Sequence, residues 1–286
     1  MIDRIFTFGR MIKFSHSIFA LPFALSGAAL AGMHHPITSN TLVWIVLAMV
    51  GARSAAMGFN RLVDRQMDAA NLRTSNREIP SGKISPVAVT LFVIISSCVL
   101  IFAAYQLNFL CFALSPVALA IVFFYSFTKR FTWGTQFFLG LALAVSPVGA
   151  WIAVSGSFNL EIFLLGGAVL AWVAGFDVLY ACQDVDFDRE FGVYSIPARF
   201  GIQRALVIAK LFHVLSFVLM LCVGFAFSLG SLYFGGIILI GGLFIYEHRL
   251  IRADDLSRMG VAFQNMNAFV SVAYLLFTVG DILIDL

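Results

Sequence analysis

The sequence predicts an all-α integral membrane protein of nine spanning helices, two four-helix halves plus one helix. Three observations carry this. Of the 286 residues, 61 % are hydrophobic and only 12 % charged, against roughly half and a quarter in soluble domains. The apolar stretches run to about twenty residues without alternating, which suits bilayer-crossing helices and not barrel strands. Lysines and arginines collect in every second link between those stretches, as they do in cytoplasmic loops. A spanning segment must satisfy its own backbone polar groups, and a helix does so internally. The whole chain, 1–286, reads as one polytopic membrane domain.

The expected helices lie at 17–33, 41–62, 86–105, 108–127, 133–154, 160–182, 204–228, 230–248 and 262–284. Arg4, Arg10 and Lys13 precede the first run as they would in a signal peptide. Eight more apolar runs follow and no small-x-small cleavage site stands out, so the run reads as a first membrane helix. No Arg/Ser-rich transit peptide precedes it, which points to a bacterial inner membrane. The 18 Lys and Arg fall in the N-terminal segment, in links 2–3, 4–5, 6–7 and 8–9, or on adjoining helix ends; Arg53 alone sits deeper. The N-terminus is therefore expected in the cytoplasm and the C-terminus outside, with the charged loops 61–85 and 183–203 sharing the cytoplasmic face. The net charge of +3 adds nothing about partners, and no nucleic-acid partner is expected. Cys98, Cys111, Cys182 and Cys222 are scattered without metal or disulfide spacing and read as small core residues. His34 and His35 lie toward the outer face, far from the acids.

Taken in order, the first helix opens with Lys13, Ser15 and His16. These read either as a snorkelling lysine and a capping serine or, for Lys13, as a counter-charge to an anionic substrate. Helix two carries Arg53 inside the bilayer, at roughly 2.5–3.5 kcal/mol on insertion scales, so a partner or a task is expected for it. Seven residues on, Asn60, Asp64 and Asp68 are spaced by four and stack on one helix face. The loop Arg73-Thr-Ser-Asn-Arg77-Glu-Ile-Pro-Ser-Gly-Lys83 turns the chain back, with Arg77 and Lys83 as anion ligands over the mouth or as plain loop charges. Helix four ends in Tyr125, then Lys129 one turn on, then Arg130. Helix six carries Asp177 and Tyr180 and ends in Asp184 and Asp188, again one turn apart, while Asp186 lies around the helix and is expected in solvent. Asp64 to Asp184 and Asp68 to Asp188 are each 120 positions, a weak internal repeat that puts a site where two halves meet. Helices seven to nine hold little chemistry, and Glu247, His248 and Arg249 read as an interfacial cluster.

Four carboxylates converging on one cavity repel unless protons or cations join them. Mg²⁺ binds through one or two carboxylates plus substrate phosphates and keeps several waters. The natural ligand is a diphosphate between two Mg²⁺-bearing helix ends, with Arg77, Lys129 and Arg130 as further counter-charges. A cavity opening on the bilayer suits a membrane lipid, and a polyprenyl tail can lie along the apolar helices.

These patterns, Asn60-x-x-x-Asp64-x-x-x-Asp68, the Arg73–Gly82 loop, Tyr125-x-x-x-Lys129-Arg130 and Asp177…Tyr180…Asp184-x-x-x-Asp188, resemble the UbiA superfamily of intramembrane aromatic prenyltransferases. Its 4-hydroxybenzoate polyprenyltransferase branch is the most similar. The resemblance implies nine helices around a central cavity with a lateral portal. It implies that Asp64, Asp68, Asp184 and Asp188 bind Mg²⁺, which holds a polyprenyl diphosphate with Asn60, Arg77, Lys129 and Arg130. It implies transfer of the prenyl group to a small aromatic acceptor in ubiquinone or menaquinone synthesis, with Tyr125 and Tyr180 at the substrate and Arg53 or Asp177 orienting the acceptor. The opening KFSHSIFALPFAL is more similar to a branch prenylating a different aromatic acid on an alternative menaquinone route. A reading of another class is an ion-coupled transporter; such proteins place their binding residues near the midplane on interrupted helices, whereas these acids sit at helix ends.

Overall fold

The computed structural model describes residues 2–12, 19–260 and 265–284, with side chains from Thr7 onward. Every regular element among them is a helix. An amphipathic α1 (Ile2–Met11) precedes α2 (Leu21–Gly32), α3 (Ser39–Val63) and the short α4 (Arg65–Ala70). Then come α5 (Pro86–Leu107), α6 (Phe109–Thr128), α7 (Thr135–Ser155) and α8 (Ile162–Ala181). A 3-10 turn (Cys182–Asp184), α9 (Val185–Phe191) and α10 (Ile196–Phe200) lead to α11 (Ile202–Ala226), α12 (Ser231–Leu250) and α13 (Asn267–Ile284).

Among the described residues eight helices are long and apolar enough to cross a membrane, so this is a multi-pass membrane protein. The first expected span is the exception. Its described part, α2, has 12 residues, about 18 Å of helix against a hydrocarbon core of roughly 30 Å. Lys13, Ser15 and His16 lie outside the described residues.

Helix ends fall where the sequence supplies caps. Thr38 accepts from Thr41 N at 3.1 Å, and Ser85 precedes the Pro86 that opens α5. Asn108 caps α6 through Cys111 N at 2.8 Å and donates to Ile152 O at 2.8 Å, tying the far ends of α6 and α7 together. Helix α8 forms the centre of the bundle: Ile162, Leu165, Ala168, Trp172 and Val173 are fully buried. Neighbours approach it closely because glycine allows it. A Cβ on Gly140 of α7 would stand 2.3 Å from the Leu170 carbonyl oxygen of α8.

Two features position the site. Helix α3 gives way at Asp64 (φ −90°, ψ 0°) to α4, and α8 gives way at Cys182–Asp184 to α9. The short helices begin at Arg65 and Val185, again 120 positions apart. The chain bends at the first aspartate of each pair and carries the second on a helical turn of its own. Meanwhile α1 packs Met11 and Ile12 against Ile79, Ile84, Val89 and Val93, bracing the loop that bears Arg77.

Glu247 departs from its expected interfacial setting. It is buried, 3.6 Å from His213 Nδ1 and 3.4 Å from Asn267 Nδ2, and His248 Nε2 lies 3.0 Å from His213 Nδ1. Three helices thus meet on a polar core contact, and Arg249 alone of that trio is exposed.

Candidate functional site

The two bends face each other across a polar cavity of about 300 Å³. Arg53, Asn60, Asp64, Asp68, Arg77, Tyr125, Lys129, Asp177, Tyr180, Asp184 and Asp188 all line it. Arg130 stands behind Asp64, where its guanidinium also holds the Val63 and Ser126 carbonyls at 2.9 and 2.7 Å. Lys83, one reading of which set it over the mouth, is exposed and off the cavity wall because the Ser81-Gly82 turn carries it away; Asp186 is exposed as expected.

Each carboxylate is held differently. Asp64 is almost wholly buried and accepts from Asn60 Nδ2 at 2.9 Å, Lys129 Nζ at 2.5 Å and Arg130 Nη2 at 3.1 Å. Asp68 pairs with Arg77 at 2.6 Å, with Arg61 at 3.9 Å, and its Oδ2 is buried without a hydrogen bond. Asp184 receives the fork of Arg73 through Nε at 2.9 Å and Nη2 at 2.5 Å, and Asn71 Nδ2 at 3.1 Å. Asp188 accepts from the Ser195 hydroxyl at 2.7 Å. The contacts to Asp184 cross between the halves: Asn71 and Arg73 leave the first bend and end on the second. Arg73 also donates to the Tyr180 hydroxyl at 2.7 Å and lies 5.1 Å above that ring. Burial alone would lower the Arg73 guanidinium, but its bonds to Asp184 and Tyr180 outweigh burial and raise it above its ordinary value.

Sequence reasoning passed over four residues as site members. Arg73 was visible only as one basic residue among many, and Asn71 as a loop amide. Ser195 is separated from Asp188 by an irregular turn. Gln136 is buried on the wall of the cavity with its Oε1 unpartnered.

A second, apolar cavity of about 620 Å³ adjoins the first and shares Arg53, Met57, Tyr125, Leu139 and Leu143 with it. Small residues make its room: Ala20, Ala24, Ala52, Ala56, Ala144 and Gly149 are on its wall. It follows α7 from Leu139 to Ala153, about 21 Å of helix. A molecule with a charged head and an oily tail fits the pair.

Among the described residues no three His, Cys, Asp or Glu side chains form a ready metal cage. The donor set still suits a hard cation that completes its shell with water and phosphate: two carboxylate pairs face one cavity, and the buried Asp68 Oδ2 accepts no hydrogen bond.

The family model for the UbiA prenyltransferase family matches residues 20–272. The chain is 33 % identical over 231 residues to the 4-hydroxybenzoate octaprenyltransferase of Vibrio campbellii, covering 80 % of each chain. It is 32 % identical over 246 residues to that of Yersinia enterocolitica, covering 86 % of this chain and 85 % of the relative. Among solved structures, the apo UbiA homolog from Aeropyrum pernix K1 superposes with a TM-score of 0.82 at 30 % identity, over 94 % of this chain and 98 % of that one. A UbiA homolog from Archaeoglobus fulgidus bound to DMAPP and Mg²⁺ has the same fold, with a TM-score of 0.69 at 19 % identity over 96 % and 99 %.

Proposed function

The chain belongs to the UbiA prenyltransferase family, and on that premise we propose that it transfers a polyprenyl group from polyprenyl diphosphate to 4-hydroxybenzoate or a similar aromatic acid in quinone synthesis. The reaction takes place at the cytoplasmic face of a bacterial inner membrane, where the positive-inside rule puts the acid-bearing loops. The observation that carries the reading is the pairing of cavities: four carboxylates and their counter-charges around a head-sized space, adjoining an apolar one with which it shares five lining residues.

Asp64, Asp68, Asp184 and Asp188 would hold Mg²⁺. When bound, Mg²⁺ supplies positive charge that offsets the negative charge growing on the leaving diphosphate. Lys129, Arg130, Arg77 and Arg73 now neutralise Asp64, Asp68 and Asp184. Relieved of that task, they turn their donors to phosphate oxygens, with Asn60 beside them. The allylic C–O bond breaks and its electron pair leaves with the diphosphate. The prenyl carbon, held in a cavity with few polar groups, is kept from water, and nearby ring faces stabilise its charge. One face of Tyr180 is already covered by Arg73; Tyr125 and Phe176 also line the space. The ring carbon ortho to the acceptor hydroxyl gives its π pair to form the new C–C bond, and the ring proton passes to an oxygen of the released diphosphate, restoring the aromatic ring. Arg53, at the junction of the cavities, suits the acceptor carboxylate, and Asp177 helps to orient the ring.

The test is to incubate membranes holding the protein with labelled polyprenyl diphosphate and a panel of hydroxybenzoate and naphthoate-like acids. The reading requires Mg²⁺-dependent diphosphate release with a prenylated acid as product. Solute uptake into vesicles without diphosphate release would replace the enzyme with a transporter.

A further inference from the structure

Gln136 is 1 % exposed, yet its Oε1 accepts no hydrogen bond. A buried amide oxygen left unpaired is destabilising, and buried polar groups without partners call for an explanation. Its setting is rigid. Gln136 lies in the first turn of α7, next to Thr135, whose hydroxyl is 2.7 Å from that of Thr128 at the end of α6. It precedes Gly140 by one turn and therefore shares the face on which α7 touches α8. Because the two helices run antiparallel, one turn back along α7 from the Gly140–Leu170 contact meets α8 near Val173 and Asp177. Both of those residues line the polar cavity, as Gln136 does.

An unpaired carbonyl oxygen requires a donor. A prenyl tail has none, and the diphosphate oxygens accept. Arg73, Arg77, Arg130 and Lys129 are directed to carboxylates, and the reading above gives Arg53 to the acceptor carboxylate. What remains is the hydroxyl of the aromatic acceptor or a water carried in on the cation.

We propose that Gln136 is an acceptor-binding residue, its Oε1 taking the hydrogen bond of the acceptor hydroxyl and so turning the ring's ortho carbon toward the prenyl group. This rests on the prenyltransferase reading above. With Arg53 on α3 taking the carboxylate, a ring carrying an acid and a hydroxyl at opposite ends is held from both sides of the cavity. The hydrogen bond also makes the hydroxyl a requirement, because an analogue without a donor leaves the amide oxygen buried and unpaired.

The experiment compares wild type with Gln136→Leu and Gln136→Glu on 4-hydroxybenzoate and 4-methoxybenzoate, with KM for the acid, KM for the prenyl diphosphate and the Mg²⁺ requirement measured separately. Wild type is expected to favour the hydroxy acid at least tenfold in kcat/KM. Gln136→Leu is expected to raise its KM about tenfold and to erase the preference, with the prenyl diphosphate KM and Mg²⁺ requirement unmoved. Gln136→Glu, which keeps an accepting oxygen, is expected to keep the preference. A wild type indifferent to methylation overturns the proposal whatever the variants do. So does a Gln136→Leu protein that still discriminates, or one whose loss lies in Mg²⁺ or diphosphate affinity, which would assign the oxygen to a metal-bound water. If wild type prenylates no acid in the panel, the prenyltransferase reading itself fails.

Discussion

The bends at Asp64 and Asp184 share a backbone plan and differ in what surrounds it. Each interrupts a spanning helix at an aspartate and sets a second aspartate on a short helix, 120 positions apart in both cases. The first bend comes with its own cations: Arg61, Arg73 and Arg77 belong to it, and Lys129 and Arg130 reach it from the end of α6. The second has Arg189 at hand, but that side chain turns away to the Ala198 carbonyl at 3.1 Å. Its Asp184 depends on Arg73 and Asn71 from the other half, and its Asp188 on one hydroxyl. The repeat carries over the acids but not their counter-charges. The first bend is therefore a clamp complete in itself, and the second is organised by it.

Four measurements press on that contrast. Stripping divalent cations with a chelator is expected to abolish product formation, and added Mg²⁺ to restore it; activity surviving chelation would leave both carboxylate pairs without their task. Asp64→Ala and Asp184→Ala are each expected to lower turnover about a thousandfold while the protein still inserts normally. Full activity in either would remove that residue from metal binding. Arg73→Lys keeps the charge but loses the two-pronged contact across the halves, and a loss of about tenfold to a hundredfold in kcat/KM is expected. Arg77→Lys, within the first bend, should cost less, and the reverse order would make the first bend the dependent one. The smallest effect is expected from Ser195→Ala, which takes one neutral hydrogen bond from Asp188. A rise of about fivefold in the Mg²⁺ needed for half-maximal rate is the expected readout.

The spans were legible because hydropathy acts over twenty residues at a time, and the acid pairs because a spacing of four survives even where the helix bends. Asp64 N still bonds to Asn60 O at 2.9 Å, and Asp68 N to Asp64 O at 2.8 Å, so the face persists through the break. Contacts between distant segments were not legible. Nothing in a string tells Arg73, among neighbours of like charge, that its partner stands 111 residues later. Gln136 sits in an otherwise apolar run, where a single amide carries no period. Glu247 next to His248 and Arg249 has the composition of a membrane edge; only the packing of α11, α12 and α13 turns it inward.

Lys129 does two things at once. Its ammonium grips Asp64, while its backbone oxygen accepts the Tyr194 N–H at 2.8 Å, just past Asp188. One residue is thus riveted to both jaws of the cleft, by side chain to one and by main chain to the other. Before metal and diphosphate draw that ammonium away, a single residue sets the spacing of the two sides of the cleft.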